Sequence, residues 1–143
     1  MDPSGSYTTS PNSFTVTTGL KIESDINKEY QCSDHFFVIT STSSFGTWSW
    51  STQPDRIKIA WNCDELYIYH PTSNTYAASA SVTTHHITIT YTTSSIAVTT
   101  DIDSVSLSVS GTYWGDVWLW MGADDDENRG SDFSNTKVYP CIS

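Results

Sequence analysis

Apolar and polar residues alternate along most of this chain, and no stretch shows the spacing of an amphipathic helix. Successive side chains of a β-strand point to opposite faces of its sheet, so such alternation is typical of strands with one buried face. Residues 24–33 could hold a helical turn, on which no other prediction depends. The predicted strands are Ser13–Thr18, Leu20–Glu23, His35–Ser41, Gly46–Trp50, Arg56–Trp61, Glu65–His70, Tyr76–Val82, His85–Tyr91, Ser95–Thr99, Ser104–Ser110, Val117–Met121 and Thr136–Tyr139.

This pattern predicts an all-β fold, an antiparallel two-sheet sandwich or jelly roll of about ten to twelve short strands, with a barrel as the alternative. A chain of 143 residues is long enough to bury one core and short for two. We therefore expect a single domain over residues 1–143, in which residues 1–12 form a flexible or edge segment.

A short repeat marks the middle of the chain. TTHHITIT from Thr83, TTSSIAVT from Thr92 and DSVSLS from Asp103 superpose at a spacing of nine residues. A strand of five or six residues with a short turn fills this spacing, so the repeat predicts three consecutive antiparallel strands. A solenoid is the weaker interpretation, because the period stops after this region.

The face opposite the apolar residues of this repeat is uncharged. It is expected to carry His86, Thr88, Thr90, Ser95, Ala97, Thr99, Ser104, Ser106 and Ser108. Solvent-facing sheets usually carry charges that discourage association, so such a face favours a subunit interface or a covering second sheet. The alternative is an ordinary exterior rich in Ser and Thr.

The charge balance excludes several partners. Sixteen acidic and six basic residues give a net charge of -10, which repels nucleic acids and anionic membranes. No apolar stretch approaches the roughly 20 residues of a membrane-spanning helix, so membrane insertion is not expected. The beginning, MDPSGSYTTS, has no features of a signal peptide, and the compartment stays open, with a secreted or extracellular role favoured.

Three cysteines, Cys32, Cys63 and Cys141, have no spacing typical of zinc ligands. One disulfide with one spare thiol and three reduced thiols are both compatible with this number.

The most aromatic stretch, GTYWGDVWLWMG, contains three of the six tryptophans. Trp118 and Trp120 alternate with Val117 and Leu119, so one of these pairs faces the core and the other faces away. Flat indole rings stack on the apolar faces of sugars, and Trp114 stands in a predicted loop, where binding residues concentrate. The predicted ligand-binding residues are Tyr113, Trp114, Asp116, Trp118 and Trp120, whereas Trp48, Trp50 and Trp61 are expected in the core.

An acidic run follows this stretch at once. Oxygen-bearing side chains occupy alternate positions at Asp124, Asp126, Asn128 and Asp132, and oxygen ligands in a bending loop can converge on Ca²⁺. The first half resembles the calcium loop of an EF-hand, but Arg129 stands where that loop has a glycine and no Glu closes it. The sequence thus leaves a Ca²⁺ site and a solvated acidic loop as alternatives, and predicts no required cofactor. Because a six-residue strand spans roughly 20 Å, the run and Trp114 can lie at opposite ends of the sheet.

No catalytic sequence motif is present, and Glu65 is the only acid near the start of a well-formed strand. We therefore do not expect an enzyme. The composition looks like that of many lectins and carbohydrate-binding modules, and predicts non-catalytic binding of glycans by aromatic stacking and acidic-loop hydrogen bonds, in a homo-oligomer. A self-assembling, capsid-like β-protein is the alternative, and a jelly-roll glycoside hydrolase is a lesser one.

Overall fold

The computed structural model describes residues 12–16, 19–28, 35–44, 51–62, 65–77, 86–101, 104–110, 115–121 and 131–139. Within these ranges no helix is long and apolar enough to cross a membrane. The described strands are β1 (Asn12–Thr15), β2 (Gly19–Lys28), β3 (His35–Thr40), β4 (Arg56–Asn62), β5 (Glu65–His70), β6 (Ser73–Ala77), β7 (His86–Thr92), β8 (Ser95–Thr100), β9 (Ser104–Ser108), β10 (Asp116–Met121) and β11 (Ser131–Tyr139).

These strands form two sheets. The six-stranded sheet has the order β1-β10-β3-β4-β5-β6, and the five-stranded sheet has the order β11-β2-β7-β8-β9. All pairs are antiparallel. The prediction of an all-β, antiparallel two-sheet sandwich is therefore confirmed.

Apolar side chains from both sheets meet in one core. Removing each such side chain from water contributes about 1.5–3 kcal/mol, so this core is the main source of stability. Its members are Val16, Leu20, Ile22, Ile26, Phe37, Ile39, Ile57, Ile59, Leu66, Ile68, Ile87, Ile89, Tyr91, Ile96, Val98, Val109, Val117 and Leu119.

The predicted three-stranded meander is confirmed as β7, β8 and β9, which pair in sequence order. Apart from the buried Thr100, its Ser and Thr residues point away from the core, and those of β9, Ser104, Ser106 and Ser108, are exposed. No second sheet covers this face within the described part of the chain. That alternative is wrong, and the predicted subunit interface stays a prediction.

Two strands are longer than predicted because polar residues obscured their alternation. The expected helical turn after Glu23 is wrong for its described part, since β2 continues to Lys28. Ser24 faces inward, and its buried hydroxyl group is not left without a hydrogen-bond partner, because it lies 2.9 Å from the hydroxyl group of Thr136.

At the other end of the chain, β11 begins at Ser131 rather than Thr136. A bulge between Ser134 and Lys137, with Asn135 at a φ of 51°, shifts its alternation. Strand β6 likewise begins at Ser73, three residues before the prediction. The predicted strand Gly46–Trp50 lies outside the described residues.

His70, at the end of β5, is buried and faces the ring of Tyr91 at 6.1 Å between centroids. The backbone N–H of Thr72 donates to its Nδ1 over 3.2 Å, which identifies Nδ1 as an acceptor and fits a neutral ring. Burial lowers the pKa of His70 from its ordinary 6.5. The folded state therefore holds this ring neutral where the unfolded chain begins to protonate it.

We expect this histidine to make stability depend on pH below neutrality. Because the folded pKa is depressed, the unfolded state binds the extra proton, and stability falls as the pH drops below 6.5. One such proton gives a slope of at most about 1.4 kcal/mol per pH unit. Urea denaturation at pH 7.5 and 5.5 should show a smaller loss for His70→Gln than for the unaltered protein. An equal loss in both would contradict this role.

Candidate functional site

Three of the predicted ligand-binding residues lie on the outer face of the six-stranded sheet. In β10, Val117 and Leu119 are buried in the core, so Asp116, Trp118 and Trp120 point to the outer face. This settles which pair of the alternating stretch faces inward. Strand β10 lies between β1 and β3, so both neighbours contribute to this part of the surface.

An open depression of about 220 Å³ lies at the β1 side of this face and is lined by Ser13, Thr15, Asp116 and Trp118. The strand register explains the grouping, because Ser13 pairs with Trp118 and Thr15 pairs with Asp116. The hydroxyl of Thr15 donates a hydrogen bond to Oδ1 of Asp116 over 2.8 Å. The depression thus combines an indole ring, a carboxylate and two hydroxyl groups.

The two outward tryptophans differ in exposure. Trp118 is only partly buried, whereas Trp120 is 6% exposed. The indole N–H of Trp120 donates to Oγ1 of Thr40 over 3.1 Å, and the Thr40 hydroxyl donates to the carbonyl of Thr42 over 2.6 Å. Part of the Trp118 ring is therefore open to a ligand that stacks on it. The buried Trp120 ring is held in place beside it by its hydrogen bond to Thr40.

Several predicted site residues lie elsewhere. Asp132 belongs to β11, where it pairs with Asn27 in the five-stranded sheet, so it does not share a sheet with Trp118. Among the described residues no group of three His, Cys, Asp or Glu side chains could hold a metal ion. Outside the described residues lie Tyr113, Trp114, Asp124, Asp126, Asn128, Cys32, Cys63, Cys141, Trp48 and Trp50, and the side chain of Trp61 is not described.

A basic cluster that the sequence analysis did not identify lies on the same outer face. Arg56 and Lys58 occupy alternate positions of β4 and are buried, at 2% and 0% exposure. The ammonium of Lys58 lies 4.9 Å from the centroid of the Tyr69 ring, within the range of a cation–π interaction. The alternation in RIKIAW indicated that both cations point outward, but nothing in it indicated their burial.

Burial changes the acidity of this cluster. It lowers the pKa of Lys58 to about 8, with the positive charge of Arg56 as the second cause. Burial also raises the pKa of Tyr69 to about 12. Near pH 7 the lysine is therefore mostly charged and the tyrosine is neutral.

The outer face of the five-stranded sheet carries a second open depression, of about 290 Å³, lined by Glu23, Asp25, His86, Asn135 and Lys137. Nδ1 of His86 and Nδ2 of Asn135 each lie 2.8 Å from an oxygen of Asp25. The hydrogen bond from Asn135, followed by that from His86, lowers the pKa of Asp25. None of the described residues that line this depression is a Trp, Tyr or Phe, the side chains on which sugars usually stack.

Comparisons with known proteins agree with the fold. No protein-family model matches the chain, and no curated protein matches its sequence. Domains LG4-5 of the mouse laminin alpha1 chain share 12% identity at a TM-score of 0.56, over 92% of this chain and 40% of that chain.

Two alginate lyases are similar in the same way. The family 7 alginate lyase A1-II′, a variant in complex with substrate, shares 13% identity at a TM-score of 0.57, over 90% of this chain and 63% of that one. The marine PL7 alginate lyase AlyA1 from Zobellia galactanivorans shares 13% identity at 0.52, over 90% and 64%. This chain thus spans less than two thirds of each, and the likeness shows a shared jelly-roll-like sandwich fold.

The contact between Trp120 and Thr40 can be tested directly. Thr40→Val removes the acceptor of a buried N–H, which should lower the free energy of unfolding by about 1–3 kcal/mol. Thr40→Ser keeps the hydroxyl and should lose less than half of that amount. Urea denaturation measures both, and a loss in Thr40→Ser as large as that in Thr40→Val would contradict a dominant contribution of the hydroxyl group.

Proposed function

We propose that this protein binds carbohydrate without cleaving it, at the depression formed by Ser13, Thr15, Asp116 and Trp118. The observation that carries this proposal is a partly exposed tryptophan beside an exposed carboxylate on the same sheet face. The apolar face of a pyranose ring would stack on the indole of Trp118. Oxygens of Asp116, Thr15 and Ser13 would accept hydrogen bonds from its hydroxyl groups.

The size and openness of the depression favour one ring of a longer glycan as the occupant. Its volume of about 220 Å³ lies below the roughly 300–1,000 Å³ of enclosed small-molecule sites. A polysaccharide can place one ring in such a depression and continue along the sheet on both sides. The two neighbours named as alginate lyases, one of them in complex with substrate, support a polysaccharide as the ligand class.

The spacing of Glu65 and Asp116 argues against these two acids as the carboxyl pair of a glycoside hydrolase. Such enzymes use two carboxyl groups about 5–9.5 Å apart. Glu65 accepts a hydrogen bond from the Tyr67 hydroxyl over 3.2 Å, on β5, three strands away from Asp116 on β10. Three strand spacings of about 4.8 Å amount to roughly 14 Å, too far for a joint reaction.

Substitution of Trp118 tests the proposal. Trp118→Ala should weaken glycan binding about tenfold or more, a change of about 1.4 kcal/mol, because the stacking surface is lost. Trp118→Phe should retain part of the affinity. A glycan array followed by calorimetry on the ligands it identifies provides the measurement.

Tyr139→Ala is the matched control, because Tyr139 is an aromatic residue that is 40% exposed on the five-stranded sheet. It should bind like the unaltered protein. If Trp118→Ala and Tyr139→Ala bind equally well, the depression is not the glycan site.

Calcium binding by the acidic run is a separate proposal. If Asp124, Asp126, Asn128 and Asp132 hold Ca²⁺, free calcium at about 100 times its Kd should raise the free energy of unfolding by about 2.7 kcal/mol. Asp126→Asn should abolish the gain, whereas Asp101→Asn, at an exposed acid outside the run, should keep it. Denaturation with calcium or with a chelator measures this, and no gain in the unaltered protein would favour a solvated acidic loop.

The uncharged outer face of β7, β8 and β9 supports the proposal of a homo-oligomer. Two copies of a chain with a net charge of -10 repel each other, and an uncharged face lowers that repulsion where the copies meet. An oligomer would present several Trp118 depressions to one polysaccharide and gain affinity by multivalency.

A further inference from the structure

Two of the six basic residues of this acidic chain are buried on an outer sheet face, where water would otherwise solvate them. Arg56 and Lys58 are 2% and 0% exposed, although both point away from the core shared by the two sheets. Removing a cation from water costs several kcal/mol unless oxygen atoms replace the water. Something on this face must therefore supply those oxygens.

A short stretch before β4, residues 51–55, supplies them, and we call it the cover segment. The ammonium of Lys58 donates to the carbonyl of Ser51 over 2.5 Å and to Oε1 of Gln53 over 2.7 Å. Nε and an Nη of Arg56 donate to the two carboxylate oxygens of Asp55 over 3.1 and 3.2 Å. An isolated bridge between Gln53 and Arg56 marks the reversal that brings this segment back beside β4.

The oxygens of the cover segment resemble those of an acidic sugar. A carboxylate held by two N–H groups of a guanidinium is the geometry that Arg favours for any carboxylate ligand. A carbonyl and an amide oxygen on an ammonium occupy places that hydroxyl or carboxylate oxygens can take. Because Arg56 holds the pKa of Asp55 below its usual range, this carboxyl is ionised at neutral pH and neutralises Arg56 as a ligand would.

The strand register places these cations beside the proposed sugar site. Trp118 pairs with Thr40, which pairs with Arg56, and Trp120 pairs with Val38, which pairs with Lys58. Each cation therefore lies two strand spacings, about 10 Å, from an outward tryptophan in the same row. Thr40, which lies between Trp118 and Arg56 on β3, is buried, so a ligand seated on Trp118 would also have to displace what covers this row before it reaches the cations.

We propose that the cover segment occupies the place of an acidic ligand, and that a carboxylate-bearing polysaccharide seated on Trp118 displaces Gln53 and Asp55 from Lys58 and Arg56. This inference rests on the proposed carbohydrate site and adds the ligand class and its regulation. The exchange leaves each cation bound to oxygen, so no uncompensated buried charge is formed. The cover segment competes with the ligand, so the apparent affinity is lower than that of an uncovered face.

The negative net charge does not prevent such binding. At physiological ionic strength charges are screened over about 8 Å, so contacts on this face outweigh distant acids. Charge-assisted hydrogen bonds to Arg56 and Lys58 contribute more than neutral ones.

The test compares polyuronates with their own neutral esters. Polygalacturonate and alginate, each beside its esterified form, are titrated calorimetrically into the full chain. We expect at least one acidic polymer to bind about tenfold more tightly than its ester, the effect of one charge-assisted hydrogen bond. Lys58→Met should abolish this preference, and Lys137→Met, which removes a cation from the five-stranded sheet, should keep it.

Opening the cover segment should have the opposite effect. Gln53→Ala removes one acceptor from Lys58 and should tighten binding of the acidic polymer about threefold to tenfold, with no change for the ester. Hydrogen exchange of residues 51–55 should accelerate when the acidic polymer is added. These two measurements do not depend on the folding of Lys58→Met.

The outcomes separate this inference from the proposed function. If acidic and esterified polymers bind equally and Gln53→Ala changes neither, the cover segment does not compete with ligand, and the Trp118 site stands. If no glycan binds to the unaltered protein or to Gln53→Ala, the carbohydrate site itself is wrong. Acid preference without faster exchange in residues 51–55 would overturn displacement as its mechanism.

Discussion

The packing of two sheet faces against each other is the constraint on which the other features of this molecule depend. Side chains alternate strictly along a strand, so the inward position of Val117 and Leu119 fixes the outward position of Asp116 and Trp118. A slip of one residue in β10 would put two tryptophans into the core and two aliphatic residues on the surface. The proposed sugar site is thus positioned by the hydrophobic core beneath it, not by contacts of its own.

The same constraint explains how much the sequence could predict. Strands with clean alternation, such as β5, were predicted with the bounds that the structure has. The errors fall where a polar residue faces inward or where a bulge resets the phase. Ser24 interrupts the apolar alternation in the second half of β2, and the bulge beside Asn135 interrupts it in the first half of β11. Both depend on a hydroxyl or backbone partner from a distant strand, which local pattern does not reveal.

Site residues follow a similar rule. Asp116 and Trp118 were predicted because their own strand contains the signal, whereas Ser13 and Thr15 join them only through pairing of β1 with β10. Arg56 and Lys58 were readable as outward cations, but the local pattern did not indicate the oxygens of residues 51–55 that they contact. The sequence therefore identifies the sheet face on which a side chain lies, and the order and pairing of the strands determine which other side chains it contacts there.

The two outer faces of the sandwich differ in how far their charged side chains are exposed to water. On the five-stranded sheet, Lys21 pairs with Glu23 over 3.1 Å and His86 pairs with Asp25, all in contact with water. Such exposed pairs contribute little to the free energy of folding, and their loss would hardly disturb the fold. On the six-stranded sheet the cations are buried, and every oxygen that approaches them replaces lost hydration. Because a buried cation needs an oxygen partner, a ligand of the proposed kind would have to supply the oxygens that residues 51–55 supply in the structure.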